Sequence, residues 1–426
     1  MSEVVKWTER TNRERRRLDV LRTSFHPAYV VWELTLRCDH ACTHCGSRAS
    51  APRKDELSTS EALEVADQLA ELGAREVVLI GGEAYLHDGF LQIAARLREL
   101  GMQVVMTTGG RGINAKLARS MAKAGIARVS VSIDGLQETH DLMRNLRGSF
   151  DCGLRALGHL RDAGIRVSAN TNVNRLNRED LESLYEVLRQ AGVTSWQVQL
   201  TTPLGRAADR PQMVLQPYDL LELMPRIAAL KARGLREGLL IAPGNNLGYF
   251  GPEEGLLRSL NADDRDHFQG CQAGRFVLGI ESQGDVKGCP SLQSAHYVGG
   301  NLRDRSLHAI WHESPELSFT RERTVADLWG YCRTCPFAKT CLGGCSFTAH
   351  ALLGRPGNNP YCHFRAREHA ARGLRERLVM DAEAPGTPFD NGHFSIVVEA
   401  LGSPEPGPLP ARHELVQLQK RPASAS

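Results

Sequence analysis

The chain has 426 residues, of which 42% are hydrophobic and 24% are charged, and its formal net charge is +3. The length leaves room for two or three domains, and the composition is that of a soluble globular protein. No apolar run is long enough to span a bilayer, the N-terminus lacks the apolar core of a signal peptide, and the small net charge does not indicate nucleic-acid binding. We therefore expect a cytoplasmic protein that engages neither a membrane nor a nucleic acid.

Residues 1–28 are predicted to form a polar leader with some helical character. The basic run Arg13–Arg17 within it is interrupted by one acidic residue, which favours a solvated helix face. An arm that binds phosphate or peptide is the alternative interpretation of this run.

From residue 29 to about residue 205, apolar runs typical of strands alternate with helical patterns. We predict six strands, at Tyr29–Leu36, Glu76–Ile80, Gln103–Thr108, Arg128–Ile133, Arg166–Thr171 and Ser195–Leu200. A capping box at Ser58–Glu61 opens the first helix, and a glycine stands where each left-handed C-terminal cap belongs, at Gly73, Gly101, Gly125, Gly164 and Gly192. Six strand–helix units predict an α/β fold with a parallel sheet, a partial (β/α)6 TIM-type barrel that binds ligands at the carboxyl ends of its strands.

Three cysteines, Cys38, Cys42 and Cys45, follow the first strand with C-x3-C-x2-C spacing. Thiolates at this spacing suit an iron–sulfur cluster or zinc, and three of them leave one metal position open to a group that is not protein. The stretch RCDHACTHCG resembles the signature of the radical S-adenosylmethionine (AdoMet) enzymes, which implies a [4Fe-4S] cluster whose open iron chelates AdoMet. A structural zinc knuckle with a fourth ligand from elsewhere is the alternative.

Glycines and polar residues also follow the later strands, as expected at the ligand-binding end of such a barrel. The stretch GGEA at 81–84 resembles the GGE motif of the radical AdoMet family, and VSIDG followed by HDLMR resembles its ribose and carboxylate contacts. The resemblance implies that Glu83 binds the methionine ammonium, Ser132 the ribose and Arg144 the methionine carboxylate. The cofactor-binding residues expected on this basis are Gly81, Gly82, Glu83, Ser132, Asp134, Arg144, Asn172 and Leu200. His44 replaces the aromatic residue common before the third cysteine, and it either stacks near the adenine or is solvated.

Ten of the eleven cysteines fall in two clusters, at 38–45 and 271–362. Because the cytoplasm keeps thiols reduced, such clusters indicate metal sites rather than disulfides. The remaining cysteine, Cys152, lies on a predicted barrel helix, and we expect it to be an ordinary buried thiol.

The seven cysteines from 271 to 362, with Gly284 between the first two, resemble the SPASM domain of peptide-modifying radical AdoMet enzymes over about residues 271–365. The resemblance implies an auxiliary cluster I held by Cys271, Cys289 and Cys345. It also implies an auxiliary cluster II held by Cys332, Cys335, Cys341 and Cys362. Cluster I then has an open iron or takes a fourth ligand from Asp266, His267 or the substrate. Zinc ribbons are the alternative, but they do not explain the x5 and x3 intervals.

Two segments carry fewer signals. In residues 206–270 we predict a helix around Leu220–Lys231 and a glycine-rich loop at Pro243–Pro252, which either covers the substrate cleft or merely connects two domains. In residues 366–426 we predict a helix followed, after about Leu378, by a disordered tail with a short strand at Phe394–Val398.

These features imply an enzyme that cleaves AdoMet reductively to a 5′-deoxyadenosyl radical and modifies a ribosomally made peptide oxidatively, by a crosslink, a thioether or a desaturation. We expect AdoMet and three [4Fe-4S] clusters as cofactors. The expected partners are the peptide, a separate leader-recognition protein and a reductant such as flavodoxin or ferredoxin. No catalytic acid or base is assigned. The alternatives are tetrapyrrole side-chain modification of the haem-synthesis type, sulfatase-type maturation, which Pro290 disfavours, and a non-enzymatic zinc-binding protein.

Overall fold

The structure, a computed structural model, describes residues 25–261 and 266–404. The basic run Arg13–Arg17 lies outside the described residues, as does the chain from residue 405 onward. No helix in the described part of the chain is long and apolar enough to cross a membrane.

Six consecutive strands, β1 to β6, pair in parallel with one another in chain order, as predicted. Their bounds are Tyr29–Glu33, Glu76–Ile80, Gln103–Thr108, Ile126–Ser132, Arg166–Val173 and Ser195–Leu200. The first strand ends at Glu33 rather than at the predicted Leu36. The cause is the Glu56 carboxylate, which accepts hydrogen bonds of 2.7 Å from the Thr35 hydroxyl and from the backbone N–H of Leu36.

The helices between the strands cover one face of the sheet. They span Thr59–Glu71, Phe90–Glu99, Ala115–Ala124, Gln137–Arg144, Ser149–Asp162, Leu181–Gln190 and Leu220–Glu237. The predicted capping box is present, because Ser58 and Glu61 exchange hydrogen bonds at the first helix. The five predicted cap glycines all have φ between 78° and 90°, the left-handed region that favours glycine.

The sheet is larger than the six predicted strands. β7, Leu240–Pro243, pairs in parallel with β6, and β8, Val277–Ile280, pairs in parallel with β1. β9, Asp285–Lys287, and β10, Val298–Asn301, continue antiparallel from β8, so the strand order is β10-β9-β8-β1-β2-β3-β4-β5-β6-β7. The described sheet is therefore a partly open barrel, and the cysteine-rich region is built onto its β1 edge.

The two faces of the sheet differ in character. Residues that alternate along the strands, such as Trp32, Val129 and Trp196, pack with the helices in one large apolar core. The opposite, concave face has a small apolar cluster of Val31, Val78 and Val105 on β1 to β3. On β4 to β6 the same face instead presents serines and side-chain amides: Ser130, Ser132, Ser168, Asn170, Ser195 and Gln197. Glu76 and Gln103 lie on this face before the valines of β2 and β3, and Arg128 and Arg166 lie in register with Val105. The valines are thus a local apolar patch on a largely polar face.

The cysteine-rich region is mostly short helices, at Glu254–Arg258, Ser294–Tyr297, Leu307–Glu313, Pro315–Ser318, Tyr331–Thr334, Ala338–Cys341, Ser346–Leu353 and His363–Ala370. The predicted helix at Leu220–Lys231 is present and longer, and Cys152 on its barrel helix is half-buried rather than buried.

Up to residue 404, the structure corrects the prediction of disorder after Leu378. β11, Leu374–Ala382, and β12, His393–Ala400, form an antiparallel hairpin, and the predicted strand at Phe394–Val398 lies within β12. Leu378 and Phe394 are buried against the apolar core, which is why this segment is ordered despite its prolines and acidic residues.

The tip of this hairpin reaches the first cysteine loop. The N–H of Phe389 donates to the carbonyl of Gly46 at 3.0 Å, and Asp390 pairs with Arg48 at 3.0 Å. A segment predicted to be disordered therefore packs next to the loop that carries Cys45.

Candidate metal and cofactor sites

The thiols of Cys38, Cys42 and Cys45 lie together in the loop after β1. Burial raises the pKa of Cys38 to about 12, and the neighbouring Glu83 carboxylate and the other two thiols add to the shift. Burial also raises the pKa of Cys42 to about 11, against the opposing effect of Arg144. Three converging, partly desolvated thiols are the donor set that a soft metal centre requires, and ligation would hold them as thiolates.

A chain of hydrogen bonds anchors this loop to the barrel. His40 Nδ1 lies 2.8 Å from Asp39, and His40 Nε2 lies 3.3 Å from the hydroxyl of Ser149. The same hydroxyl lies 3.2 Å from His140 Nε2, and His140 Nδ1 accepts the backbone N–H of Asp134 at 3.0 Å. The histidine inside the cysteine motif is the one local signal of this anchor, and no sequence pattern indicates Ser149 or His140.

The glycines of the GGE loop are required by contacts within the chain. A Cβ atom at Gly81 would lie 2.2 Å from the carbonyl oxygen of Thr35, and one at Gly82 would lie 2.3 Å from that of Arg37. The close approach that requires these glycines is thus to the start of the cysteine loop. The two loops pack backbone to backbone at the strand ends.

Glu83 is buried beneath this contact. Its carboxylate accepts hydrogen bonds from the Thr108 hydroxyl at 2.5 Å and from the N–H of Gly109 at 2.7 Å. Burial raises the pKa of Glu83 to about 7 despite these hydrogen bonds. A cationic ligand group beside it would stabilise the charged form, which suits the ammonium expected here.

Asp134 and Arg144 face each other behind the cysteine loop. Arg144 Nη2 lies 2.5 Å from Asp134 Oδ2, and Arg144 Nη1 lies 3.6 Å from the sulfur of Cys42. The side chain of His44 is only 7% exposed, with Nε2 3.3 Å from Asp134, so it is not solvated as one of our alternatives held. Although burial acts in the opposite direction, Arg144 and His44 hold the pKa of Asp134 well below its usual range.

Two polar atoms of this group are buried without a hydrogen-bond partner among the described residues, namely Nε of Arg144 and Nδ1 of His44. A ligand with a carboxylate, hydroxyl groups and ring nitrogens would supply partners for such atoms. The residues present therefore fit AdoMet.

The remaining expected contacts lie on the neighbouring strands. Ser132 ends β4 and is buried, and the backbone N–H of Asn172 donates to Asp134 at 2.9 Å. Leu200 ends β6, where the side chain of Asn246 binds both its N–H, at 3.2 Å, and its carbonyl, at 2.8 Å. Asn246 belongs to the loop Pro243–Pro252, which is therefore fastened to this strand end.

The structure brings Cys271, Cys289 and Cys345 together, although they are far apart in sequence. Burial raises the pKa of Cys289 to about 11 and that of Cys345 to about 12, and the thiols of the set reinforce these shifts in one another. Asp266 and His267 are the two protein side chains suggested as a fourth ligand of cluster I. The ring of His267 has its centroid 6.2 Å from that of Phe250, and the backbone N–H of Asp266 donates to the hydroxyl of Ser259.

Cys332, Cys335, Cys341 and Cys362 form the other set. All four line one cavity, together with the rings of Phe250, Phe337 and Phe364. Burial raises the pKa of Cys362 to about 12. Four thiols around a single apolar cavity fit a fully ligated iron–sulfur cluster.

Comparison with known proteins agrees with this geometry. The Radical SAM superfamily matches residues 32–188, and the SPASM iron–sulfur cluster-binding domain matches residues 271–336. The mycofactocin maturase MftC of Mycobacterium ulcerans is 30% identical over 346 residues, which cover 79% of this chain and 88% of that protein. The AdoMet-dependent heme synthase of Nitratidesulfovibrio vulgaris is 28% identical over 361 residues, covering 79% and 92%.

Solved structures share the fold. Streptococcus suis SuiB bound to S-adenosylmethionine aligns with a TM-score of 0.62 at 16% identity, over 83% of this chain and 80% of that one. The structure of anSMEcpe with bound AdoMet aligns with a TM-score of 0.62 at 17% identity, over 81% and 97%. The chain belongs to the radical SAM superfamily of enzymes and carries a SPASM iron–sulfur domain.

Proposed function

We propose that this enzyme cleaves AdoMet reductively and uses the resulting 5′-deoxyadenosyl radical to modify a ribosomally made peptide oxidatively, forming a crosslink, a thioether or a double bond. When bound, AdoMet and its cluster supply a radical that removes hydrogen from a carbon that acid–base chemistry does not reach. The protein contributes binding, orientation and the exclusion of water.

We assign the cluster that binds AdoMet to Cys38, Cys42 and Cys45. Glu83 would bind the ammonium of AdoMet and Arg144 its carboxylate, with Gly81, Gly82, Ser132, Asp134, Asn172 and Leu200 around the rest of the cofactor. The buried Nε of Arg144 and Nδ1 of His44 support this assignment, since AdoMet would supply both with the hydrogen-bond partner that the described residues do not.

The side chains on the concave face of the barrel are the observation that favours a peptide as the substrate. Asn170 pairs in register with Ser132 on one side and with Gln197 on the other, so the three side chains form one row. Gln197 is exposed within this face, and Oδ1 of Asn170 has no hydrogen-bond partner. Amides both donate and accept, as the backbone of an extended peptide requires.

The opposite half of the same face suits the side chain of such a peptide. Val31, Val78 and Val105 form an apolar cluster on β1 to β3, with Ile80 packed against it. A substrate that lays its backbone along the amide row would direct an apolar side chain toward these valines. The face thus offers complementary chemistry to both parts of a peptide.

We further propose two auxiliary [4Fe-4S] clusters, which make three with the one that binds AdoMet. Cys332, Cys335, Cys341 and Cys362 would hold cluster II completely, and Cys271, Cys289 and Cys345 would hold cluster I with one position open. A flavodoxin or ferredoxin would supply electrons, and a separate protein would present the leader of the peptide.

The experiment that tests this function is a mass measurement. The reconstituted enzyme, AdoMet and a reductant are incubated with synthetic short peptides encoded beside its gene, and each peptide is analysed for the loss of two hydrogen atoms. Gln197→Leu should reduce this conversion about tenfold, as expected for one lost hydrogen bond to substrate, whereas Gln190→Leu on an outer helix should not. No mass change in any peptide would contradict the proposal.

A tetrapyrrole substrate is the second candidate. It is favoured by the matches to AdoMet-dependent heme synthases and to the Fe-coproporphyrin III synthase of Methanosarcina barkeri, which is 28% identical over 364 residues. Incubation with iron coproporphyrin III under the same conditions separates the two candidates. Oxidation of the porphyrin side chains, with every peptide unchanged, would replace the peptide proposal with this one.

A further inference from the structure

Tyr249 lies between the two auxiliary cysteine sets and contacts both of them. It belongs to the loop Pro243–Pro252, and its side chain is almost fully buried. The sequence patterns that identified the cysteines gave no role to this residue, and the function proposed above does not use it.

The hydroxyl of Tyr249 binds the three-cysteine set. It accepts the backbone N–H of Cys345 at 3.0 Å and donates to the carbonyl of Asn245 at 2.7 Å. The side-chain amide of Asn359 also donates to this hydroxyl, at 3.3 Å. The hydroxyl thus uses both its donor and its acceptor capacity, and its position is determined by three groups.

The backbone of Tyr249 contacts the four-cysteine set. The sulfur of Cys362 lies 3.7 Å from the Tyr249 carbonyl oxygen, which also accepts the N–H of Phe364 at 3.0 Å. The ring packs against Phe268, with centroids 4.5 Å apart. One residue therefore connects Cys345 of one set to Cys362 of the other.

The contact with Cys345 has an electrostatic consequence. Backbone N–H groups near a cluster commonly donate to its sulfur atoms, and such hydrogen bonds stabilise the more negative, reduced cluster and raise its reduction potential. Tyr249 occupies the N–H of Cys345, so that this donor is unavailable to the sulfurs.

We propose that Tyr249 is a positioning residue that holds the two auxiliary clusters in fixed relation and keeps the reduction potential of auxiliary cluster I low. This proposal rests on the cluster assignment given above. It requires no acid–base role for the phenol, which remains a neutral hydrogen-bonding group.

The test is a redox titration of the reconstituted enzyme, followed by electron paramagnetic resonance. Tyr249→Phe removes the hydroxyl and retains the ring. We expect it to raise the potential of cluster I, because the freed N–H of Cys345 turns to the sulfurs, with a smaller shift in cluster II.

Two control variants separate tuning from packing. Tyr185→Phe removes the hydroxyl of another buried tyrosine, which donates to Glu237 in the barrel, and should shift neither potential. Phe268→Leu loosens the packing around Tyr249 but keeps its hydroxyl, and should leave the potential of cluster I unchanged.

An unshifted potential of cluster I in Tyr249→Phe would overturn the inference, and so would an equal shift in Phe268→Leu. Loss of iron from both sets in Tyr249→Phe would also overturn it, because the hydroxyl would then serve folding. Iron analysis of the unaltered enzyme comes first. If the unaltered enzyme holds too little iron for two auxiliary clusters, the cluster assignment itself is refuted, independently of Tyr249.

Discussion

Arg144 is the residue on which AdoMet binding depends most in this account. It is buried, its Nη2 lies 2.5 Å from Asp134, and its Nε has no hydrogen-bond partner among the described residues. Truncating one member of a buried charge pair costs about 2 kcal/mol or more, which corresponds to about a 30-fold change in a dissociation constant. Arg144→Gln should therefore weaken AdoMet binding by at least this factor in equilibrium dialysis, while the exposed Arg147→Gln should not. Equal affinities in the two variants would exclude Arg144 from the site.

Glu33 should make stability depend on pH. Burial raises its pKa to about 7, even though Arg53 lies 3.5 Å away, and Glu281 and Lys287 also face it. Since the folded-state pKa exceeds the ordinary value of 4.5, the folded protein retains a proton that the unfolded chain has released. The stability that protonated Glu33 contributes is present at acid pH and falls as the pH rises toward 7.

Glu33→Gln should remove this dependence. Relative to the variant, the unaltered enzyme should lose up to about 3 kcal/mol between pH 4.5 and pH 7, with little further change above. Anaerobic thermal unfolding across this range measures the difference, and the exposed Glu383→Gln serves as the control. Parallel pH profiles for Glu33→Gln and the unaltered enzyme would refute the assignment.

Some residues of the site had no local signal in the sequence. His140, Ser149, Asn246 and Tyr249 act through partners distant along the chain, and each belongs to a residue type that is common on helices and loops. The cysteines were different, because their spacing is itself the chemical signal. Asp134 was expected near the cofactor, but its pairing with Arg144 depends on how the helix Gln137–Arg144 packs.

Among the elements, the C-terminal hairpin departs most from the sequence expectation. Its tip is fixed by Asp390, which accepts hydrogen bonds from Arg48 and from the backbone N–H of Thr387. Asp390→Ala should release the tip and accelerate chymotryptic cleavage at Phe389 about tenfold, equivalent to about 1.4 kcal/mol of local stability. The exposed Glu383→Ala should not change the cleavage rate. Unaltered cleavage in Asp390→Ala would show that the tip is held by other contacts.

The barrel elements were predictable because each carries its own pattern. A closing glycine and an apolar run of five or more residues mark most strand–helix units locally, and a capping box marks the first. β7 and β8 were not predicted, because each has only four residues. β7 depends on pairing with β6, and β8 depends on pairing with β1. The hairpin was missed for a related reason, because its two strands stabilise each other across a polar, proline-containing turn.

For the whole molecule, the pairing of β8 with β1 is the decisive feature. β1 leads directly into the loop of Cys38, and β8 begins six residues after Cys271, so one sheet edge joins the two cysteine regions. The cysteines proposed to hold cluster I and the proposed site of AdoMet are therefore attached to adjacent strands. β1 and β8 fall in two segments that the sequence patterns predict to be separate, 29–205 and 271–365. They share one sheet because strands distant in sequence pair in the fold.

The most direct test of the account is to change Cys38, Cys42 and Cys45 together to alanine and to compare this variant with the unaltered enzyme after anaerobic reconstitution. Iron and 5′-deoxyadenosine are measured in the same samples. We expect about 12 irons in the unaltered enzyme and about 8 in the variant, since the auxiliary sets remain, and no 5′-deoxyadenosine from the variant. Production of 5′-deoxyadenosine by the variant, or a colourless enzyme that binds only zinc, would contradict it.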